Sequence, residues 1–440
     1  MSVARRPGLL ALLVLSGALL AARSAPGAVS TAAVQTWRVE PGTAGALLED
    51  HRQPLVEVRL VFAGGWWTPG EACGRHAADA FELQLEDPAG RLRAWADRLA
   101  LDVTLRSDGL TSALALGCRK PDLDSALALA RALLGNRSLE AREVARRNRN
   151  QTVAWQQNLK DPRFRMRRAV LELLFTARDP RRPAAQPPRP VPTASAPLLA
   201  ARDTLVRLPG RLIAFAGDLT RAEAERLAAG LLPPALDSLP SAPVPGFLPI
   251  TTAERRPRAQ SVPLERLTQV YMALVREAPG LSDADRPALL VAHHVLAGYF
   301  HSRLYEALRH AGGDTYGVGA YWPADTAAGE YGPWTYTRAA NADSAAARLR
   351  HAMSLFREQG ITEEERAAAA GFLRGRRALD AQSPAQVLDR WLWEAARGLE
   401  PGFRDRLVER AAALSLDEVN AFIRRFYDPA AFTLVQVVPK

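Results

Sequence analysis

The sequence predicts an α+β protein built from two similar domains. The chain has 440 residues, 48% of them hydrophobic, which is enough for two domains with a core each. A run of strand, loop, helix, two strands and then helices is written twice along it. A proline-rich stretch at 233–257 lies between the two copies. A second one, Pro180 to Pro192, divides the chain unevenly and reads as a surface insertion in the first domain. The expected bounds are 1–24 for a leader, 35–232 and 258–440 for the domains, and 233–257 for the linker.

The leader comes first. Arg5 and Arg6 precede an apolar run from Leu9 to Leu20, and Ala22-Arg23-Ser24 supplies a small-x-small cleavage site. That pattern is a secretory signal, and the run falls short of the ~20 residues of a membrane span. An exported protein, periplasmic or extracellular, is expected, with no integral membrane segment after cleavage. Losing Arg5, Arg6 and Arg23 lowers the net charge from +10 to +7. The remaining arginines are interleaved with acids, as in Glu140-Ala-Arg-Glu-Val-Ala-Arg-Arg147, which reads as a solvated helix face. No zinc-finger spacing or RNA-binding aromatic motif accompanies the charge, so no nucleic-acid partner is expected.

In the first domain, Val56, Val58, Leu60 and Phe62 alternate with Glu57, Arg59 and Val61, a strand that is apolar on one side. A glycine- and tryptophan-rich loop follows, then a helix from Gly74 to about Leu85. A hairpin turns at Ser107-Asp-Gly109. Helices are expected over Pro121 to Leu134 and Ser138 to Leu159, then a strand Arg211 to Ala216 and a helix Thr220 to Leu231. In the second domain, Thr268 to Val275 is a strand. Ser282-x-x-Asp285 has the form of a capping box opening a long helical segment, on which Leu296, Phe300, Leu304 and Leu308 form one buried stripe. Strands at Thr315 to Trp322 and Trp334 to Thr337 precede helices over Ala342 to Gln359, from Thr362, Pro384 to Gly398 and Leu416 to Phe426. Phe432 to Val438 closes the chain as a strand.

Much common chemistry is absent. The seven histidines include no H-E-x-x-H or H-x-x-E-H helix, and His293 and His294 point in different directions. There is no G-x-S-x-G elbow and no phosphate loop. Gly317-Val-Gly319 reads as close packing within a strand. The two cysteines, Cys73 and Cys118, are compatible with a disulfide in an oxidising compartment but establish no framework.

Two segments nevertheless carry a resemblance. Phe300-His-Ser-Arg-Leu-Tyr-Glu-Ala-Leu-Arg-His-Ala-Gly-Gly-Asp-Thr-Tyr316-Gly-Val is similar to the C-terminal signature of the pitrilysin/insulinase-type metallopeptidases. Val56 to Gly74 resembles the strand and glycine turn that open that family's zinc-binding helix. Gly360-Ile-Thr-Glu-Glu-Glu and Phe426-Tyr-Asp-Pro also fit, so the resemblance spans residue 35 to the C-terminus. It implies two homologous domains, each an antiparallel-rich sheet flanked by helices.

The departure lies in the zinc motif. Aligned on Gly74, the family's two histidines and glutamate become Ala77, Phe81 and Ala80. A shift by one residue keeps His76 and puts Asp79 at the general base, yet leaves Ala80 for the second histidine. Gln151 or Ala154 falls where the third ligand is expected. One histidine cannot replace the three protein ligands of catalytic zinc, so no metal or cofactor is expected in this chain alone. Arg309 and Tyr316 keep the family's R-x6-Y spacing. The resemblance implies that they orient substrate and hydrogen-bond its oxyanion. Read without it, Arg309 caps a helix C-terminus and Tyr316 starts a buried strand. Half-length members pair into closed chambers, so the expectation is a heterodimer with a zinc-bearing paralogue that acts on peptides. The rivals are a purely structural homologue and, third, a peptidase using His76 and Asp79.

Overall fold

The computed structural model describes residues 33–68, 75–85, 89–177, 194–232, 259–310, 317–323 and 329–440, with 179, 182, 187, 190 and 315 singly. The leader and the linker expected at 233–257 lie outside them. Two sheets dominate. The first is formed by β1 (Gln35–Glu40), β2 (Thr43–Glu49), β3 (Leu55–Phe62), β4 (Asp102–Ser107), β5 (Ser112–Arg119) and β6 (Arg211–Gly217), in the order β1-β2-β6-β3-β5-β4. The second is formed by β7 (Ala259–Leu264), β8 (Gln269–Ala278), β9 (Val318–Tyr321), β10 (Gly329–Arg338) and β11 (Thr433–Pro439), in the order β7-β11-β8-β10-β9.

The two orders superimpose strand for strand once β1 is set aside. β2 runs parallel to β6 as β7 does to β11, and the remaining neighbours are antiparallel in both sheets. The repeated element order is therefore a repeated topology. Each half also has its own helices. These are α1 (Arg75–Glu82), α2 (Arg91–Arg98), α3 (Leu123–Gly135), α4 (Ala141–Asn158), α5 (Pro162–Leu174), α6 (Ser195–Val206) and α7 (Arg221–Ala228), then α8 (Arg286–Ala297), α9 (Ala342–Gln359), α10 (Glu363–Leu379), α11 (Pro384–Ala395), α12 (Phe403–Ala413) and α13 (Leu416–Phe426).

One face of each sheet packs on helices of its own half. Val56, Val58, Leu60, Leu116 and Phe215 meet α1, α3 and α7, while Met272, Leu274 and Leu434 meet α8, α9 and α13. The other faces are covered by exchange. Met166, Val170 and Leu174 of α5 lie on Ala273, Val275, Val435 and Val437 of the second sheet. Val387, Leu388, Trp391 and Leu392 of α11 lie on Ala46, Leu48, Ala214 and Ala216 of the first. An ion pair from Arg59 on β3 to Asp389, 2.9 Å, borders that contact.

Three expectations are corrected. The single stripe through Leu296, Phe300, Leu304 and Leu308 does not exist: α8 ends at Ala297, a three-residue turn (Arg303–Tyr305) follows, and a π-turn (Glu306–His310) replaces the last helical turn. Leu296, Leu304 and Leu308 are buried, but the break leaves Phe300 56% exposed. Ser282 and Asp285 make no capping box, because α8 starts at Arg286 with Asp285 as an N-cap whose side chain accepts no cap bond. Arg147 does not belong to a solvated face, as its partners below show. Thr362 does form a capping box with Glu365. Gly319 lies against the Trp334 indole, where a Cβ would collide.

Candidate functional site

The segment that sequence reading compares with a zinc motif forms α1, and its side chains divide sharply. Ala77, Ala80 and Phe81 are fully buried, and Phe81 meets Phe62 edge-to-face at 5.5 Å. They are core positions, filled by residues of core type. His76 is half-buried on the same helix. Among the described residues no three His, Cys, Asp or Glu side chains gather so as to hold a metal ion.

Asp79 is 2% exposed, and its partner comes from α4. Arg147 donates from Nε (2.9 Å) and Nη2 (2.5 Å) to Asp79 Oδ1, and from Nη2 to Glu82 Oε2 (2.5 Å). Gln151 Nε2 donates to the same Asp79 oxygen at 3.2 Å. The other oxygen of Glu82 accepts the Ser107 amide at 2.9 Å. Burial draws the Arg147 pKa down, but the attraction of Asp79, its hydrogen bond and then Glu82 outweigh that and hold it above its ordinary value. Asp79 Oδ2 and Gln151 Oε1 are buried with no hydrogen-bond partner among the described residues. Beside the pair is a cleft of about 410 Å³ lined by Glu82, Glu143, Arg147, Asn150, Gln151 and Ala154, among others. The resemblance set Asp79, in one of its two alignments, beside Gln151 or Ala154 and gave no sign of the Arg147 guanidinium that meets both Asp79 and Glu82. A readable signal existed: Asp79 and Glu82 are one turn apart on α1, as are Arg147 and Gln151 on α4, so each pair shares a helix face.

Arg309 stands apart from this group, in the π-turn Glu306–His310. Its guanidinium lies 5.0 Å from the Tyr305 ring centre and 5.2 Å from that of Phe300, and among the described residues no carboxylate pairs with it. It is therefore a half-buried cation on an aromatic ledge, and π-turns of this kind recur at functional sites. Tyr316 lies outside the described residues. Beside it, the Thr315 hydroxyl accepts a hydrogen bond from Thr335 Oγ1 at 2.9 Å and anchors the start of β9.

Two further histidines, His293 and His294, pack against aromatic rings. His293 faces Trp322 at 4.4 Å, and burial, with His294 and Arg286 nearby, pulls its pKa down to about 3. His294 stacks between Tyr299 and Phe372 at 4.7 and 4.3 Å, and burial lowers its pKa too. Cys118 is a buried free thiol whose pKa burial raises to about 11; Cys73 lies outside the described residues.

Comparison with known proteins fits this geometry. The family model for the Peptidase M16 inactive domain matches residues 207–371. That stretch resembles the M16 inactive domain. The M16 likeness extends over almost the whole length in solved structures. The peptidase M16 inactive domain from Pseudomonas fluorescens aligns at 20% identity and TM-score 0.80, over 92% of this chain and 98% of that one. A protease from Helicobacter pylori aligns at 12% and 0.75, over 92% and 99%. The periplasmic protease PqqL from Escherichia coli aligns at 14% and 0.73, over 100% of this chain but 49% of that one. No curated protein sequence matches the chain. Among the described residues, no helix is long and apolar enough to cross a membrane.

Proposed function

We propose that this chain is an exported, non-catalytic subunit that pairs with a zinc-bearing M16 paralogue. It closes half of a peptide-holding chamber and extends Arg309 and Tyr316 toward the partner's metal. The domain bounds 35–232 and 258–440 belong to the same reading. The observation that carries it is the ion pair of Asp79 with Arg147: α1 is built around a guanidinium, with Ala80 and Phe81 packed inward, whereas Arg309 has no carboxylate partner among the described residues and lies against the Tyr305 and Phe300 rings. PqqL supports a paired form, since this chain spans 49% of its length. An extended peptide would add to a sheet edge, where backbone hydrogen bonds accept varied sequences; β1 and β4 end the first sheet, and β7 and β9 the second.

The test is co-expression with a neighbouring paralogue carrying H-x-x-E-H, isolation of the heterodimer, and assay of peptide cleavage and bound zinc. Arg309→Ala is expected to lower kcat by about 100-fold or more with the complex intact, the scale set by loss of one donor to a developing oxyanion. Full activity in the variant heterodimer refutes the role of Arg309 and favours a structural homologue. Stoichiometric zinc in the isolated chain would instead revive a site using His76 and Asp79.

A further inference from the structure

A second charged cluster lies where α10, α11 and α12 meet, and nothing above uses it. Arg377 of α10 donates from Nε to Asp405 Oδ1 at 2.9 Å, and Arg390 of α11 donates from Nη2 to the same oxygen at 2.5 Å. Arg404, in the first turn of α12, lies over the Trp393 ring at 5.0 Å, which it shares with Arg397 at 4.1 Å. Among the described residues the Arg404 side chain has no ion-pair partner. Arg286, 2% exposed, is within electrostatic reach of Arg404 and is held by the Pro279 and Pro323 carbonyls.

The acids present are already committed. Asp405 spends one oxygen on two guanidinium groups. Asp380 stands 4.0 Å from Arg377 Nη1 and is engaged by Arg376 at 3.3 Å. Glu394 is fully buried and accepts the Gly402 and Arg404 amides with its two oxygens. Nη1 and Nη2 of Arg377, Nε of Arg390 and Nε of Arg286 are buried donors with no acceptor among the described residues. Burial followed by repulsion from Arg377 and Arg390 lowers the Arg404 pKa. Burial and Arg404 bring that of Arg286 down to about 10.

Buried N–H groups almost always find a partner, and each exception calls for a water or an ion. Water supplies an acceptor but leaves the crowding of like charges unrelieved, whereas an anion supplies both. We infer that the junction of α10, α11 and α12 binds a small inorganic anion through Arg377, Arg390 and Arg404. Guanidinium suits the task, being weakly hydrated, permanently charged and rich in donors. The site braces α11, whose opposite face carries Val387, Leu388, Trp391 and Leu392 onto the first sheet.

The test uses the full chain dialysed into buffer free of halide and phosphate, with sodium gluconate holding the ionic strength. Radiolabelled phosphate in equilibrium dialysis and chloride-35 NMR line broadening read the two anions separately. The expectation is saturable binding of one anion per chain, with the thermal midpoint rising in parallel. Arg377→Met should weaken binding at least about tenfold, the scale of lost charge-assisted bonds, while Arg374→Met on the exposed side of α10 leaves it unchanged. The proposal is overturned if the wild-type chain binds neither anion saturably, or if Arg377→Met binds as the wild type does. Should Arg377→Met fail to fold, Arg404→Gln takes its place, and the wild-type measurement alone retains the power to refute.

Discussion

Replacing Arg147 by methionine tests whether α1 is organised by an ion pair. Methionine keeps the apolar stem and removes the charge. Asp79, 2% exposed, would lose both arginine bonds and keep only Gln151 at 3.2 Å. Glu82 would keep the Ser107 amide at 2.9 Å. Removing one member of a buried pair costs about 3–5 kcal/mol because the other charge stays behind. The Arg147 side chain is 26% exposed, so water recovers part of that, and the expected loss is about 3 kcal/mol. Replacing Asp79 as well, as in Asp79→Leu with Arg147→Met, removes the stranded Asp79 charge while Glu82 keeps the Ser107 amide, so the double variant should be less destabilised than Arg147→Met alone. Urea unfolding followed by circular dichroism, with slopes compared, measures each difference. A loss below about 1 kcal/mol in Arg147→Met, or a double variant destabilised by the sum of the singles, refutes the reasoning.

Trp391 is 5% exposed where α11 covers the first sheet, so Trp391→Ala should cost about 3–5 kcal/mol in urea unfolding; a loss below about 1 kcal/mol would mean that α11 contributes little there. His293, with a folded pKa of about 3, stays neutral while the unfolded chain takes up a proton near pH 6.5. Stability should therefore fall as pH drops from about 6.5 toward 3, by at most ~1.4 kcal/mol per unit, and His293→Phe should flatten that slope; an unchanged slope counts against it. His51 has the opposite sign. Hydrogen bonds from its ring to Asp218 and then Glu49 raise its pKa, so its contribution is present below the unfolded value and disappears as pH rises through the folded one. The gap in urea midpoint between wild type and His51→Gln should be wider at about pH 5.5 than at about pH 8.5; equal gaps would refute a contribution from the His51 bonds to Asp218 and Glu49.

What could be read from the sequence follows from how local each signal is. β3, α9, α13 and the Thr362 cap were legible because alternation, helical stripes and capping residues act over a few positions. β7 was not. Its Ala-Gln-Ser-Val-Pro-Leu run abuts the proline-rich stretch and contains Pro263, which a sheet tolerates in an edge strand. α5 was missed because its apolar residues sit among four arginines and face the opposite half's sheet. The stripe through Phe300 failed because four-residue spacing says nothing of a break at Gly298. At the candidate site, residue types alone show that α1 carries no complete H-x-x-E-H. Arg147 was hidden in a charge-rich helix, since which face of α4 turns inward is decided by α1, some 70 residues earlier: Asp79 and Arg147 are 68 positions apart.

The exchange of α5 and α11 bears on how the chain is made. When synthesis reaches the end of β6, the first sheet can hydrogen-bond, yet Ala46, Leu48, Ala214 and Ala216 wait for a helix that begins at Pro384. Arg59 waits 330 positions for Asp389. α5 emerges long before the strands it covers and has nothing apolar to rest on until β8 and β11 exist. Neither half can be completed on the ribosome ahead of the other. A nick between them would leave two fragments still clasped together, and either fragment expressed alone would present a bare sheet face to chaperones and to its own copies.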